Sequence, residues 1–325
     1  LILGREHRGK QEWAVLEVLL EVLLPIAVVA AVGVGLRRAL PLDQATLNRV
    51  VIYGLSPALI FTSLVGADLS GDGALRMLAL SVGLVLLLGA LIAAVALPLG
   101  VRRVDLSALL LTSLFMNSGN YGLPAARFAF GEAGFTEALF FFIAQSIMAQ
   151  TLGIAVAATG GAQTGRGIVR AAAGRVLRMP QVYAVLAALL VRATGFDPAD
   201  AQGAGAGVFA GLSLLGAATL PLMLVILGMQ LGAGVTVEQP GLVAVASVIR
   251  LVASPLLAYG LGLALGLSGM SLAVGVMLAG MPTAVNTTIT ALEFNTRPRV
   301  VLGTVVVTSF ASLLTLTGLL AVVRG

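Results

Sequence analysis

Cysteine is absent from this 325-residue chain, so disulfides and thiolate metal sites are excluded and the redox compartment cannot be read. Histidine is nearly absent. The single one, His7, lies in a polar leader, which removes histidine from any membrane-embedded proton relay and leaves no Ser/His pair for hydrolysis. No Gly-x-x-x-x-Gly-Lys-[Ser/Thr] loop occurs, so ATP hydrolysis of the phosphate-loop type is excluded. Acidic residues number fourteen, and almost all lie at the ends of apolar runs or between them. A sodium–proton antiporter built on paired intramembrane aspartates is therefore not expected. Lysine is also scarce, with one Lys10 against eighteen arginines, which reads as genome composition rather than function.

What is present is apolar. The chain is 59% hydrophobic and 10% charged, with mean hydropathy +1.06. Soluble chains carry about 25% charged residues, so the solvent for most of this one is lipid. A span needs roughly 20 apolar residues, and the runs read as ten: 17–36, 46–66, 74–98, 106–130, 135–158, 180–195, 205–232, 240–266, 269–293 and 299–323. The expectation is an all-α membrane protein with no separate soluble domain. The net charge of +5 is no argument for nucleic acid, because the basic residues fall at span ends.

Counting basic residues orients the chain. Connections 1–2, 3–4, 5–6, 7–8 and 9–10 hold eleven: Arg37, Arg38, Arg49, Arg102, Arg103, Arg166, Arg170, Arg175, Arg178, Arg297 and Arg299. The other side holds seven: Arg5, Arg8, Lys10, Arg76, Arg127, Arg192 and Arg324. Both termini are expected outside a bacterial inner (plasma) membrane, and the basic connection 159–179 in the cytoplasm. That connection divides the chain into an N-terminal extension (1–16), a first five-helix repeat (17–158), the linker (159–179) and a second repeat (180–325). An odd number of spans per repeat inverts the second. Prolines support the division. Pro57 and Pro221 lie 164 apart (221 − 57), and Pro124 and Pro282 lie 158 apart (282 − 124).

The chemistry concentrates in two polar interruptions, Asn117-Ser-Gly-Asn-Tyr-Gly-Leu-Pro124 in span 4 and Gly280-Met-Pro-Thr-Ala-Val-Asn286 in span 9. Lipid does not tolerate unpaired backbone, so broken helices at that depth must be covered by protein or line a cavity. Paired interruptions in corresponding halves point to a transporter's binding site. Gly119 and Gly122 permit unwinding, and Pro124 and Pro282 suit the first turn of a second half-helix. If the segments cross, two positive helix ends meet the amides of Asn117, Asn120 and Asn286, with Thr283 and Thr287 nearby. That site suits a small carboxylate, with Tyr121, Leu123 and Val285 leaving room for its body. The plainer alternative is a pair of proline kinks whose Asn and Thr side chains satisfy freed carbonyls. Arg250, deep in span 8, either braces the broken backbone, steers an anion or snorkels; bracing is favoured because an intramembrane charge must face protein or water. Gln145, Gln150 and Gln230 read most simply as interhelical hydrogen-bonding groups. No cofactor or metal is expected.

The span 4 motif resembles that of the auxin efflux carrier family, which includes bacterial dicarboxylate permeases and plant PIN exporters. Met281-Pro-Thr-Ala-Val-Asn286 with Glu293-Phe-Asn295 and Pro298 is similar to the family's ninth span. Thr219-Leu-Pro221 with Leu227-Gly228, and Arg250 through Pro255, match positions in spans 7 and 8. The resemblance covers nearly the whole chain from about residue 17. It implies ten spans in two inverted five-helix repeats, crossover helices 4 and 9, and an elevator-type motion. A scaffold of spans 1, 2, 6 and 7 would stand beside a transport domain of spans 3–5 and 8–10, and a homodimer through the scaffold is compatible with this plan. By the resemblance Asn117 and Asn286 hold the carboxylate; the residues themselves add Asn120, Tyr121, Pro124, Pro282, Thr283 and Thr287 around it, with Arg250, Gln145 and Gln230 in support. Auxin-like monocarboxylates and dicarboxylates both stay open as substrates. Two alternatives compete. One is a sodium-coupled organic-anion symporter of bile-acid-transporter type; the other is a non-transporting membrane receptor.

Overall fold

The structure, a computed structural model, describes residues 15–67, 72–160, 173–195, 202–232, 234 and 237–323. The leader with His7, and Arg166 and Arg170 of the central connection, lie outside the described residues. Among those described, the chain is helical, and its one β-type pairing is an isolated antiparallel bridge between Met116 and Thr283. The helices are α1 (Val15–Ala39), α2 (Gln44–Gly66), α3 (Gly73–Ala96) and α4 (Arg103–Leu114). A helical stretch from Ser118 to Gly160 follows, and Gly131 (φ 66°, ψ −161°) divides it into α5 (118–130) and α6 (132–160). Then come α7 (Pro180–Ala193), α8 (Gly203–Leu231), α9 (Pro240–Ala264), α10 (Gly269–Ala279), α11 (Asn286–Glu293) and α12 (Pro298–Val323).

Seven of these stretches are long and apolar enough to cross a membrane, against the ten spans expected. The difference has a physical cause. The expected span 4 is cut at residues 115–117, and its second half runs on into α6 with only the Gly131 kink between them. The expected spans 6 and 9 appear as the shorter apolar helices α7 and α10. The surface is that of a protein in lipid: Leu314, Val322, Leu214 and Leu190 are at least 70% exposed, while α3 buries Met77, Leu80, Leu84 and Leu88 inward. Apolar side chains at that exposure over whole helix faces are the reverse of a soluble surface.

Proline shapes the helices in a way sequence reading did not foresee. Each of four π-type turns (Val18–Leu23, Val51–Leu55, Ser118–Gly122 and Ile249–Ala253) ends two residues before a proline: Pro25, Pro57, Pro124 and Pro255. Proline donates no N–H and crowds the carbonyl four residues back. Widening the preceding turn by one residue relieves that clash and keeps the helix going. Half-helix α5 accordingly begins at Ser118, and Pro124 stands in its second turn rather than at its first.

Small residues set the closest packing. A Cβ on Gly228 of α8 would lie 1.8 Å from the Ala30 carbonyl oxygen, and one on Gly33 of α1 would lie 2.0 Å from that of Val225. The backbones of α1 and α8 therefore touch, the arrangement small residues allow between helices in lipid. Where α2 begins, Asp43 accepts from the Ala45 and Thr46 N–H groups and the Thr46 hydroxyl. The Thr46 hydroxyl, with the Ala45 N–H second, holds the Asp43 carboxyl below its ordinary range.

Candidate functional site

Where α4 stops at Leu114, its last carbonyls lose their intrahelical partners, and buried backbone groups must be paired. The accounting is almost entirely by side chains from elsewhere in the chain. The Thr283 hydroxyl donates to Thr112 O (2.7 Å), the Arg250 guanidinium to Ser113 O (2.6 Å) and the Gln145 amide to Leu114 O (3.0 Å). Phe115 O then accepts from the Ala284 N–H at 2.9 Å, and the Asn117 N–H donates to Pro282 O at 2.7 Å. The two interruptions thus meet backbone to backbone, around the Met116–Thr283 bridge.

The second interruption follows the same logic. At the end of α10, Ala279 O accepts from the Arg250 guanidinium and from the Ser254 hydroxyl, the latter at 2.9 Å. The Thr283 N–H donates to the Thr308 hydroxyl of α12 (3.1 Å). Arg250 is fully buried, its guanidinium also donates to Ser254, and it spans the carbonyl ends of two helices, where partial negative charge collects. Gln145 is held in turn by the Ser81 hydroxyl (3.3 Å).

None of this pairing uses the asparagines. The side chains of Asn117, Asn120 and Asn286 make no hydrogen bond to any described residue, and the Asn117 amide nitrogen is buried without a partner. All three line a cavity of about 440 Å³, with Thr287 and Gln145 also on its wall. The cavity runs from the meeting of the interruptions, past Phe142 and Gln150, to Asn48, Arg175, Arg178 and Gln181. Half-helices α5 and α11 both begin at it, with the Ser118, Thr287 and Thr288 N–H groups already donating to the Met116, Ala284 and Val285 carbonyls.

The remaining expected site residues stand elsewhere. Tyr121, Pro124, Pro282 and Thr283 are buried beside the cavity but do not line it. Thr283 is fully enclosed, its hydroxyl and N–H both committed to backbone and Thr308. Arg250 is likewise outside the lining. Gln230, near the α1–α8 contact, is buried with both amide atoms unpaired, away from the cavity. Gly119 and Gly122 serve close approach: a Cβ would lie 2.9 Å from Phe142 and 2.7 Å from Leu278. Asn48, Ser146 and Gln181 were missed as lining residues. Single polar residues in helices that carry no interruption leave no signal that would mark them.

Arg175 and Arg178 stand at one end of the cavity. Arg175 is ion-paired with Glu293 at the end of α11, while Arg178 has no partner among the described residues. The lining therefore offers side-chain amides inside and one uncommitted cation at its margin. Such a wall suits a small ligand rich in acceptors.

Comparison with known proteins bears on what kind of ligand-handling this is. Residues 15–320 match the family described as membrane transport protein. The chain is 31% identical over 256 residues to an uncharacterized transporter of Methanothermobacter thermautotrophicus, covering 77% of this chain and 80% of that one. It is 24% identical over 273 residues to an uncharacterized transporter of Methanocaldococcus jannaschii, covering 82% and 86%.

Proposed function

We propose a specific carrier function from one premise: the chain belongs to the membrane transport protein family, that of the auxin efflux carriers. In this reading it is a multi-pass secondary transporter that moves a small organic carboxylate by alternating access. The anion lies where the two interruptions meet, held by Asn117, Asn120 and Asn286 with Thr287 beside them. The observation that carries the reading is the division of labour at the breaks. Thr283, Arg250, Gln145, Ser254 and Thr308 satisfy the freed backbone, so the three asparagine amides are left without protein partners on one cavity wall. Of the three, Asn117 is buried with its amide nitrogen unpaired, at a cost of about 1–3 kcal/mol that a carboxylate would remove, while Asn120 is half-buried and Asn286 exposed on the same wall. Side-chain amides supply donors without a full cation, which keeps affinity moderate and allows release.

The finer architecture belongs to the same proposal. Counting α4 with α5 and α10 with α11 as single broken spans gives ten crossings in two inverted halves, with the broken ones fourth and ninth. The hydrogen bonds support a scaffold and a moving domain. Gln181 and Arg192 tie α7 to α2. A separate set ties helices α3–α6 to α9–α12 (Thr283 to Thr112, Arg250 to Ser113, Ser271 to Glu137, Arg297 to Asp105), while Ser81 and Gln145 hold α3, α4 and α6 together. Sliding of one set past the other is an elevator motion. With both termini outside, as the arginine distribution argues, the cavity opens toward the cytoplasm past Arg175 and Arg178.

The test is a thermal-shift screen of mono- and dicarboxylates on purified protein, followed by flux of each hit in vesicles. At least one carboxylate should raise the melting temperature and cross the bilayer. Stabilisation without flux would favour a receptor, and stabilisation only in the presence of sodium would favour a symporter.

A further inference from the structure

A second cavity, of about 420 Å³, lies apart from the first and shares none of its residues. Arg102, Arg297, Arg299, Glu238 and Asn295 supply its polar lining. Three arginines against one carboxylate leave it net positive. Its cations are also under-used. Arg297 reaches Asp105 through Nε (2.8 Å), and Arg299 reaches Glu238 through one terminal nitrogen (2.8 Å). The Arg102 guanidinium has no partner among the described residues. Guanidinium forks are matched to phosphate and carboxylate geometry, and most of the donors here are uncommitted.

The backbone adds to this field. Helices α4, α9 and α12 start at Arg103, Pro240 and Pro298, so three positive helix ends border the pocket. Of the three described non-glycine residues with left-handed backbone, Asn295 (φ 51°) and Arg297 (φ 45°) line it, and Gln239 (φ 50°) directly follows its lining residue Glu238. Backbone of that kind is strained and persists where the surroundings demand it. Arginines kept only to orient a membrane protein need no shared pocket and no such backbone.

The neighbourhood says where the anion comes from. Leu97 and Leu99, just before Arg102, are 63% and 73% exposed, and Val237 and Leu302 flank the other side with 39% and 38%. A polar pocket between lipid-facing side chains lies at the headgroup level of a bilayer. We propose that this pocket binds the phosphate of an anionic phospholipid, with Arg102 as its uncommitted donor and Arg297 and Arg299 sharing the charge.

The experiment measures the melting temperature of the purified full chain in detergent, with added phosphatidylglycerol, phosphatidylcholine or inorganic phosphate. Phosphatidylglycerol should raise it by about 3 °C or more, and the other two by much less. Arg102→Gln removes no ion pair, so it should fold, and it should lose at least half of the phosphatidylglycerol shift. Arg299→Gln should do the same and serves if the first variant fails to purify. Arg38→Gln, outside the pocket, should keep the full shift. The proposal is overturned if phosphatidylcholine works as well as phosphatidylglycerol, or if both pocket variants keep the full shift. It is equally overturned if Arg38→Gln loses as much as they do. A full shift with inorganic phosphate alone would refute the lipid as the source.

Discussion

Replacing Arg250 by methionine keeps much of the side-chain volume and removes every donor. Two helix ends are then affected unequally. Ala279 O keeps the Ser254 hydroxyl at 2.9 Å, whereas Ser113 O loses its guanidinium partner at 2.6 Å in a fully buried place. A hydrogen bond to a charged group contributes about 1.5–3 kcal/mol, and an orphaned buried carbonyl costs about 1–3 kcal/mol. The variant also no longer buries a cation that has no carboxylate partner, which returns part of the desolvation cost. The net loss should be about 2–4 kcal/mol. At about 2–4 °C per kcal/mol for a large chain, the apparent melting temperature in detergent should fall by roughly 5–15 °C. Arg250→Lys should fall in between, since an ammonium is a point charge without the fork that spans two carbonyls. Because Arg250 does not line the cavity, the affinity for whichever carboxylate stabilises the wild type should change less than about threefold. Thermal-shift titration of both variants measures the two quantities together. A methionine variant that melts like the wild type but binds tenfold more weakly would refute the bracing argument and put Arg250 in the site.

Asn117→Ala and Asn286→Ala should each weaken carboxylate binding roughly tenfold or more, the cost of about 1.5–3 kcal/mol for a lost bond to a charged group. Their melting temperatures without ligand should not fall, because neither amide pairs with protein; unchanged binding and flux in both would end the proposed site. Gly228→Ala puts a methyl group against the Ala30 backbone and should cost about 1–3 kcal/mol or more, seen as poor expression and aggregation on gel filtration. Gly35→Ala, which meets nothing within 4 Å, should behave as wild type, and equal behaviour of the two would refute the close α1–α8 packing. The Arg175–Glu293 ion pair runs between the segment before α7 and helix α11, and both side chains are more than one-third exposed. Glu293→Gln should therefore leave stability within about 1 kcal/mol of wild type while raising the rate of flux; a slower carrier would show that the pair does not restrain the motion. Single cysteines at Arg178 and Gln202 should label from opposite sides of the membrane, and labelling from one side only would end the proposed topology.

Residue type and interruption were enough to find where the helices break, since Asn, Gly and Pro inside apolar runs have few other uses in lipid. They did not tell which polar side chains serve the backbone and which are left for a ligand. Thr283 and Asn286 are three positions apart in one motif and read alike as site residues, yet one is sealed against Thr112 and Thr308 and the other faces the cavity. That distinction depends on which helix each faces, and a break destroys the 3.6-residue period by which facing is read. The π-type turns were illegible for a related reason. A proline predicts a clash four residues back, but whether the helix kinks or widens is decided by its neighbours. Arg250 is the instructive case between these extremes. A charge in mid-span must be paired, so bracing could be argued from cost alone, but its partners come from α4 and α10, 137 and 29 positions away. A single guanidinium holding both broken ends also couples them: neither end of the interruption can move without straining the other. The two walls of the cavity are then fixed relative to each other through Arg250, while the side chains of Asn117, Asn120 and Asn286 stay uncommitted to protein. Rigidity of the backbone and availability of the amides are thus two consequences of one assignment of hydrogen bonds.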